Sequence, residues 1–103
     1  MNEKILIVDD EETNLKILIN YLLSEDYDID TAGNGEEAVR KSRDNMPDII
    51  VLDIMMPVMD GYEACSLIKA DPKTSHIPII IVTALHDRES KLKGLEAGAN
   101  DFL

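Results

Sequence analysis

Short, uniformly apolar runs alternate in this chain with longer stretches whose apolar residues recur every three or four positions. The first short run is Lys4-Ile5-Leu6-Ile7-Val8. It is too brief for a globular helix and rich in β-branched residues, which predicts a strand buried on both faces. Leu15, Leu18, Ile19, Leu22 and Leu23 then repeat at i, i+3, i+4, i+7 and i+8, the spacing of one helix face. Asp28 to Ala32 reads as a more polar strand, after which Asn34 or Gly35 is suited to cap a helix reaching to about Asp44. Ile49 to Leu52 predicts a third strand. A helix follows over Asp60 to Ala70, stopped at Asp71-Pro72 because the residue before proline avoids the helical region. Ile79 to Val82, entirely β-branched, predicts a fourth strand. Arg88 to Ala97 predicts another helix, with Gly98 suited to end it, and Asp101-Phe102-Leu103 reads as the start of a fifth strand.

Alternating strands and helices, with continuous apolar strands, imply an α/β fold: a doubly wound parallel sheet covered by helices on both faces. For a chain of 103 residues the expected strand order is the flavodoxin-like 2-1-3-4-5. No linker, repeat or low-complexity tract divides the chain, so one domain over residues 1–103 is expected. A formal net charge of −11 argues against direct contact with nucleic acid or an anionic membrane. The single cysteine, Cys65, cannot form an internal disulfide and has no metal-ligand spacing around it, which fits a reducing compartment. Without a charged-then-apolar leader or an apolar run of spanning length, a soluble, cytoplasmic protein is expected.

The residues just after the apolar runs carry the candidate chemistry. The first run ends in Asp9-Asp10, the third in Asp53 and the fourth in Thr83. In the order 2-1-3-4-5 those three strands are neighbours, and their carboxyl ends form the crevice where such sheets bind ligands. A lone aspartate at a strand end is ordinarily a cap or a turn former, and Asp9-Asp10 would suit a helix N-terminus. Three carboxylates and a hydroxyl meeting on adjacent strands is a different matter. Their mutual repulsion is relieved by a hard divalent cation, and an all-oxygen set favours Mg²⁺ or Mn²⁺. Met55, Met56 and Met59 read as loop and core filling. His76 and His86 lie in polar loop sequence and are assigned no chemical role.

Four segments, "ILIVDDEETN", "DIIVLDIMMPVMDGYE", "PIIIVTAL" and "GLEAGANDFL", together resemble the receiver domain of two-component response regulators across the whole chain. The resemblance implies that Asp53 is the phosphoacceptor, taking a phosphoryl group from a histidine kinase or phosphotransfer protein. It implies that Asp10 holds Mg²⁺ directly, that Asp9 does so through water, and that the Met55 backbone carbonyl is a further ligand. Thr83 and the Ala84 backbone N–H would receive the phosphoryl oxygens, and Phe102 occupies the aromatic position that follows phosphorylation. The surface of the Arg88–Ala97 helix and the last strand would then change to control an output domain or partner protein. "LIKADPKTSHIPIIIVTAL" is similar to receivers attached to diguanylate cyclases and hybrid kinases. Such a domain is no enzyme toward a separate substrate; it catalyses only its own phosphorylation and slow dephosphorylation. Slowness is expected because Met55 and Leu85 are apolar and cannot orient a hydrolytic water.

Residue types also weigh the rivals. A phosphohydrolase of haloacid-dehalogenase type shares the strand-terminal aspartate and Mg²⁺ but needs a second acid where this chain has Met55. A flavin-binding module needs a first loop rich in Gly, Ser or Thr, and "DDEETN" would repel a phosphate. A degenerate receiver serving only as a scaffold would not need Asp9, Asp10, Asp53 and Thr83. The receiver pattern continues past "DFL" to a lysine and a fifth helix, so the 103 residues read as C-terminally incomplete, with the fifth strand cut short. Apolar surface around strands such as Lys4–Val8 is therefore expected to lie bare, giving self-association such as a homodimer, and weakened phosphorylation.

Overall fold

Strand β1 (Lys4–Val8) lies between two parallel neighbours in the computed structural model, pairing Ile5 with Ile29 of β2 (Asp28–Ala32) on one side and with Ile49 of β3 (Ile49–Leu52) on the other. The structure describes residues 3–11, 13, 15–16, 19–20, 27–53, 59–82 and 88–101, with the backbone of residue 102. β3 pairs in turn with β4 (Ile79–Ile81), and β4 with β5 (Asp101–Phe102), all in parallel. The sheet order is β2-β1-β3-β4-β5, the order expected from the alternation of elements.

Because side chains alternate across a strand, the register sorts the sheet into two faces. Leu6, Val8, Ala32, Ile50, Leu52, Ile79 and Ile81 point into one core, closed by Ala38, Ala64, Cys65, Ile68, Ile77 and Ala99. The opposite face carries Ile5, Ile7, Ile49, Val51 and Ile80. Here one expectation is corrected. Ile5 and Ile7 are buried, so β1, flanked by β2 and β3, is covered on both faces rather than bare. It is Ile49, Val51 and Ile80 that are half-buried, and Val82 that is exposed. β4 also ends at Ile81 instead of Val82. The Val82 N–H still donates to the Leu52 carbonyl at 3.0 Å, but the pairing with β5 stops at Ile81.

Among the described residues, three helices with both ends placed sit on this sheet. α1 (Gly35–Asn45) starts at Asn34, whose side chain accepts the Glu37 N–H at 2.8 Å and so satisfies one of the free donors of the first turn. It ends on Met46, in the left-handed region at φ 49°, with its N–H on the Ser42 carbonyl. α2 (Gly61–Ala70) has Asp60 as its cap instead of its first residue, because the carboxylate accepts the Glu63 N–H at 2.9 Å. Its far end is closed by the buried Thr74 hydroxyl, which donates to the Ile68 carbonyl at 2.7 Å. α3 (Arg88–Glu96) stops one residue short of Ala97, and Gly98 at φ 101° sends the chain toward β5. The Tyr62 hydroxyl donates to the Ser90 carbonyl and ties α2 to α3, with Lys93 over the Tyr62 ring. In the first amphipathic run Thr13, Leu15, Lys16, Ile19 and Asn20 are helical, while Leu18, Leu22 and Leu23 lie outside the described residues. Among the described residues no helix is long and apolar enough to cross a membrane.

Candidate functional site

β1 and β3 end level with one another, Val8 against Leu52, so the next residues of the two strands, Asp9 and Asp53, emerge side by side. Backbone bonds hold that exit. The Asp53 N–H donates to the Val8 carbonyl at 2.9 Å, and the Asp9 N–H donates to the Ala32 carbonyl of β2 at 3.1 Å. Asp9 is buried, Asp53 half-buried and Asp10 exposed. One carboxylate oxygen from each of Asp9, Asp10 and Asp53 lies within 4.8 Å of the other two. The convergence expected of the strand ends is therefore present for all three acids.

The graded burial gives the carboxylates different duties. Asp9 Oδ1 accepts the Glu11 backbone N–H at 3.0 Å, which fixes that side chain and leaves its other oxygen as the freer one. Sequence reading gave Glu11 no part in the site, since a backbone donor leaves no mark on residue type. Repulsion between unit charges about 4 Å apart runs from about 1 kcal/mol in bulk water to about 4 kcal/mol near a protein surface. Three such pairs favour a counter-charge at their centre. The donors are all hard oxygens, with no imidazole or thiolate in the cluster. In an octahedron with metal–oxygen bonds of about 2.1 Å, adjacent oxygens are about 3 Å apart and opposite ones about 4 Å. A trio spread over no more than 4.8 Å is within small side-chain rotations of that shape, so the residues present fit a hard divalent cation.

The other expected site residues divide into two groups. Met55, Thr83 and Ala84 lie outside the described residues. Phe102 is placed by its backbone on β5, paired with Ile81. His76 is exposed in the turn before β4, and that turn feeds the amino end of the strand, opposite the acidic cluster. Cys65 is buried in the core, and burial pushes its thiol up to about 11, so it stays an unreactive thiol near neutral pH.

The comparisons with known proteins agree with this geometry. The family model described as the response regulator receiver domain matches residues 5–103. Response regulator PleD of Caulobacter vibrioides is 47% identical over 103 residues, which is all of this chain and 23% of PleD. The chain thus spans well under half the length of the curated relatives it matches. Among solved structures, Vibrio cholerae chemotaxis protein CheY4 aligns with a TM-score of 0.94 at 30% identity, over 100% of this chain and 86% of that one. The receiver domain of sensor histidine kinase PA1611 from Pseudomonas aeruginosa, described with a magnesium ion coordinated in its active site cleft, aligns at 0.92 and 33% identity over 100% and 84%. Since the family match takes in all three carboxylates and every strand of the sheet but the first residue of β1, the chain belongs to the response regulator receiver domains.

Proposed function

We propose that residues 1–103 form a phosphorylation switch in which Asp53 accepts a phosphoryl group from a phosphohistidine of a histidine kinase or phosphotransfer protein. The observation that carries this reading is the meeting of Asp9, Asp10 and Asp53 within 4.8 Å at the ends of adjacent strands. An Asp53 carboxylate oxygen attacks phosphorus, a P–O bond forms as the P–N bond breaks, and the imidazole leaves with the electron pair. The product is an acyl phosphate on Asp53.

Asp10, exposed at the rim, and Asp53 would hold Mg²⁺ directly, with Mn²⁺ as a substitute; Asp9, buried and tied to Glu11, would reach it through water. The Met55 carbonyl completes the protein ligands in this reading. Bound there, the cation offsets charge on the attacking carboxylate and the phosphoryl oxygens together. Asp9 and Asp10 would keep the ion seated, and the bond from the Asp53 N–H to the Val8 carbonyl fixes the backbone of the nucleophile at the strand exit. Thr83 and the Ala84 N–H receive the phosphoryl oxygens. As Thr83 moves toward them, Phe102 fills the vacated space, so that phosphorylation biases a two-state element.

β5, which carries Phe102, lies beside α3, where Leu92 and Leu95 are 48% and 55% exposed and offer apolar surface to an output domain or partner. The α2–α3 bond from Tyr62 to the Ser90 carbonyl would report the change to the rest of the fold. The domain acts on no separate substrate. Met55 cannot orient a hydrolytic water, so the acyl phosphate is long-lived. Replacing Met55 with Asn is expected to speed phosphate loss, measured as decay of the phosphorylated mass; an unchanged or slower decay contradicts that part of the reading.

A further inference from the structure

β2 lies at one end of the sheet order, with β1 as its one neighbour among the described residues. The Asp28 N–H donates to the Glu3 carbonyl, and the Ala32 carbonyl accepts the Asp9 N–H, both on the β1 side. Backbone groups alternate in direction along a strand, so Asp28, Asp30 and Ala32 face β1 while Ile29 and Thr31 face outward. An outward row of N–H and carbonyl groups is a ready template for the strand of another chain.

At Thr31 that template is filled. The Thr31 N–H donates to Asp30 Oδ1 at 2.9 Å, and the Thr31 carbonyl accepts from the Lys41 ammonium, which reaches over from α1. The same ammonium lies 3.1 Å from Asp30 Oδ1 and 3.3 Å from Glu37 Oε1, one turn earlier on the helix. Asn45 Nδ2 donates to the other Asp30 oxygen at 2.9 Å. Lys41 and Asp30 are thus held by their neighbours, and each gives one bond to the main chain of the free edge. An ion pair this open to solvent, with side chains 26% and 46% accessible, contributes little to stability by itself. Its bonds to Thr31 give it a different role.

We propose that Lys41 and Asp30 form an edge lock: they occupy the outward donor and acceptor of Thr31 and so keep β2 from pairing with β2 of a second copy of this chain. A strand added to this edge must bond at Ile29 and Thr31, the two outward positions of β2. Bonding at Thr31 requires the ammonium and the carboxylate to give up charge-assisted bonds, and in a two-fold dimer both copies must do so.

The test is sedimentation equilibrium of the 103-residue chain in about 0.15 M salt, which screens repulsion between acidic copies. Lys41→Met keeps the side-chain stem, removes the ammonium, and is expected to self-associate about 10-fold or more tightly than the parent. Arg43→Met takes one charge from the same helix, breaking the pair with Asp71 and leaving the edge untouched, and is expected to match the parent. Adding Ile29→Pro to Lys41→Met removes an outward N–H without touching the bonds to β1, and is expected to restore parental association. That arm separates strand pairing from association through the sheet face of Ile49, Val51 and Ile80. A Lys41→Met variant no tighter than the parent, an Arg43→Met variant as tight as Lys41→Met, or tight association that survives Ile29→Pro overturns the proposal. Should Ile29→Pro fail to fold, amide hydrogen exchange of Lys41→Met takes its place. Ile29 and Thr31 amides that slow as concentration rises bear out strand pairing, and unchanged rates overturn it. In the parent, which needs no variant, a Thr31 amide exchanging as fast as in an unstructured peptide overturns the lock itself.

Discussion

Asp9, Asp10 and Asp53 share a cluster but not an environment, and their substitutions should separate. Asp10 is exposed, whereas Asp9 is buried with one oxygen on the Glu11 N–H. Asp10→Ala is therefore expected to weaken Mg²⁺ binding more than Asp9→Ala, and Asp9→Ala to cost more stability, because it removes a buried side chain and the acceptor of the Glu11 N–H. Titration calorimetry and urea unfolding on both variants decide this; the reverse order in either would contradict the assignment. Cys65 gives a second residue-scale test. Its thiol is shielded by burial and raised to about 11 from 9.0, so alkylation at pH 8 should proceed only as fast as the protein opens. Labelling of the native chain at the rate of an unfolded peptide contradicts a core position. These residues also mark what was legible in the sequence. The three acids stood out because each follows an apolar run and neighbouring strands must bring them together. Lys41 did not stand out, because the Thr31 carbonyl that it holds is main chain and leaves no mark on residue type.

At the scale of elements, the caps set the helix limits that periodicity alone left loose. Asp60 reads as a first helical residue by pattern, yet its side chain is the acceptor for the α2 first turn. Asp60→Ala is expected to destabilise the fold by about 1 kcal/mol, measured by urea unfolding. At the other end of α2, Thr74→Val keeps the shape but removes the donor to the buried Ile68 carbonyl, an expected cost of about 1–3 kcal/mol. A Thr74→Val variant as stable as the parent would contradict the role given to that hydroxyl. Strand identities were legible from β-branched runs, whereas their ends were not. Val82 belongs to the apolar run by type, but strand length is set by the partner strands, and the pairing of β4 with both β3 and β5 ends at Ile81. The left-handed Met46 was invisible for a similar reason: a methionine carries no turn signal, and the turn is imposed by closure of α1 onto Ser42.

For the molecule as a whole, charge and exposed apolar surface govern behaviour. Burial pushes Asp30 up, but the Lys41 ammonium, the Thr31 N–H and Asn45 outweigh it, so its carboxyl sits below the ordinary 3.8. At Asp71 the Lys73 N–H and then the Arg43 guanidinium act in the same direction. A carboxylate with a depressed folded pKa gives stability that is present above its unfolded value and lost as pH falls through the folded one. Stability from these two groups should thus hold above 3.8 and fall away below it, and Asp30→Asn should flatten that acid limb in urea unfolding. Half-buried Ile49, Val51 and Ile80, with Val82 38% exposed, leave one sheet face able to associate. The 103-residue chain is expected to self-associate reversibly in sedimentation equilibrium, and a single monomer across the concentration range contradicts this.

The central claim is that Asp53 accepts phosphate with help from a cation held by Asp9 and Asp10, and the intact mass of the chain after incubation with Mg²⁺ and a small acyl-phosphate donor tests it most directly. The account predicts one added phosphoryl group, absent when the metal is chelated before the donor is added and absent from Asp53→Asn. A folded chain that gains no mass, or an Asp53→Asn variant labelled as fully as the parent, would contradict it.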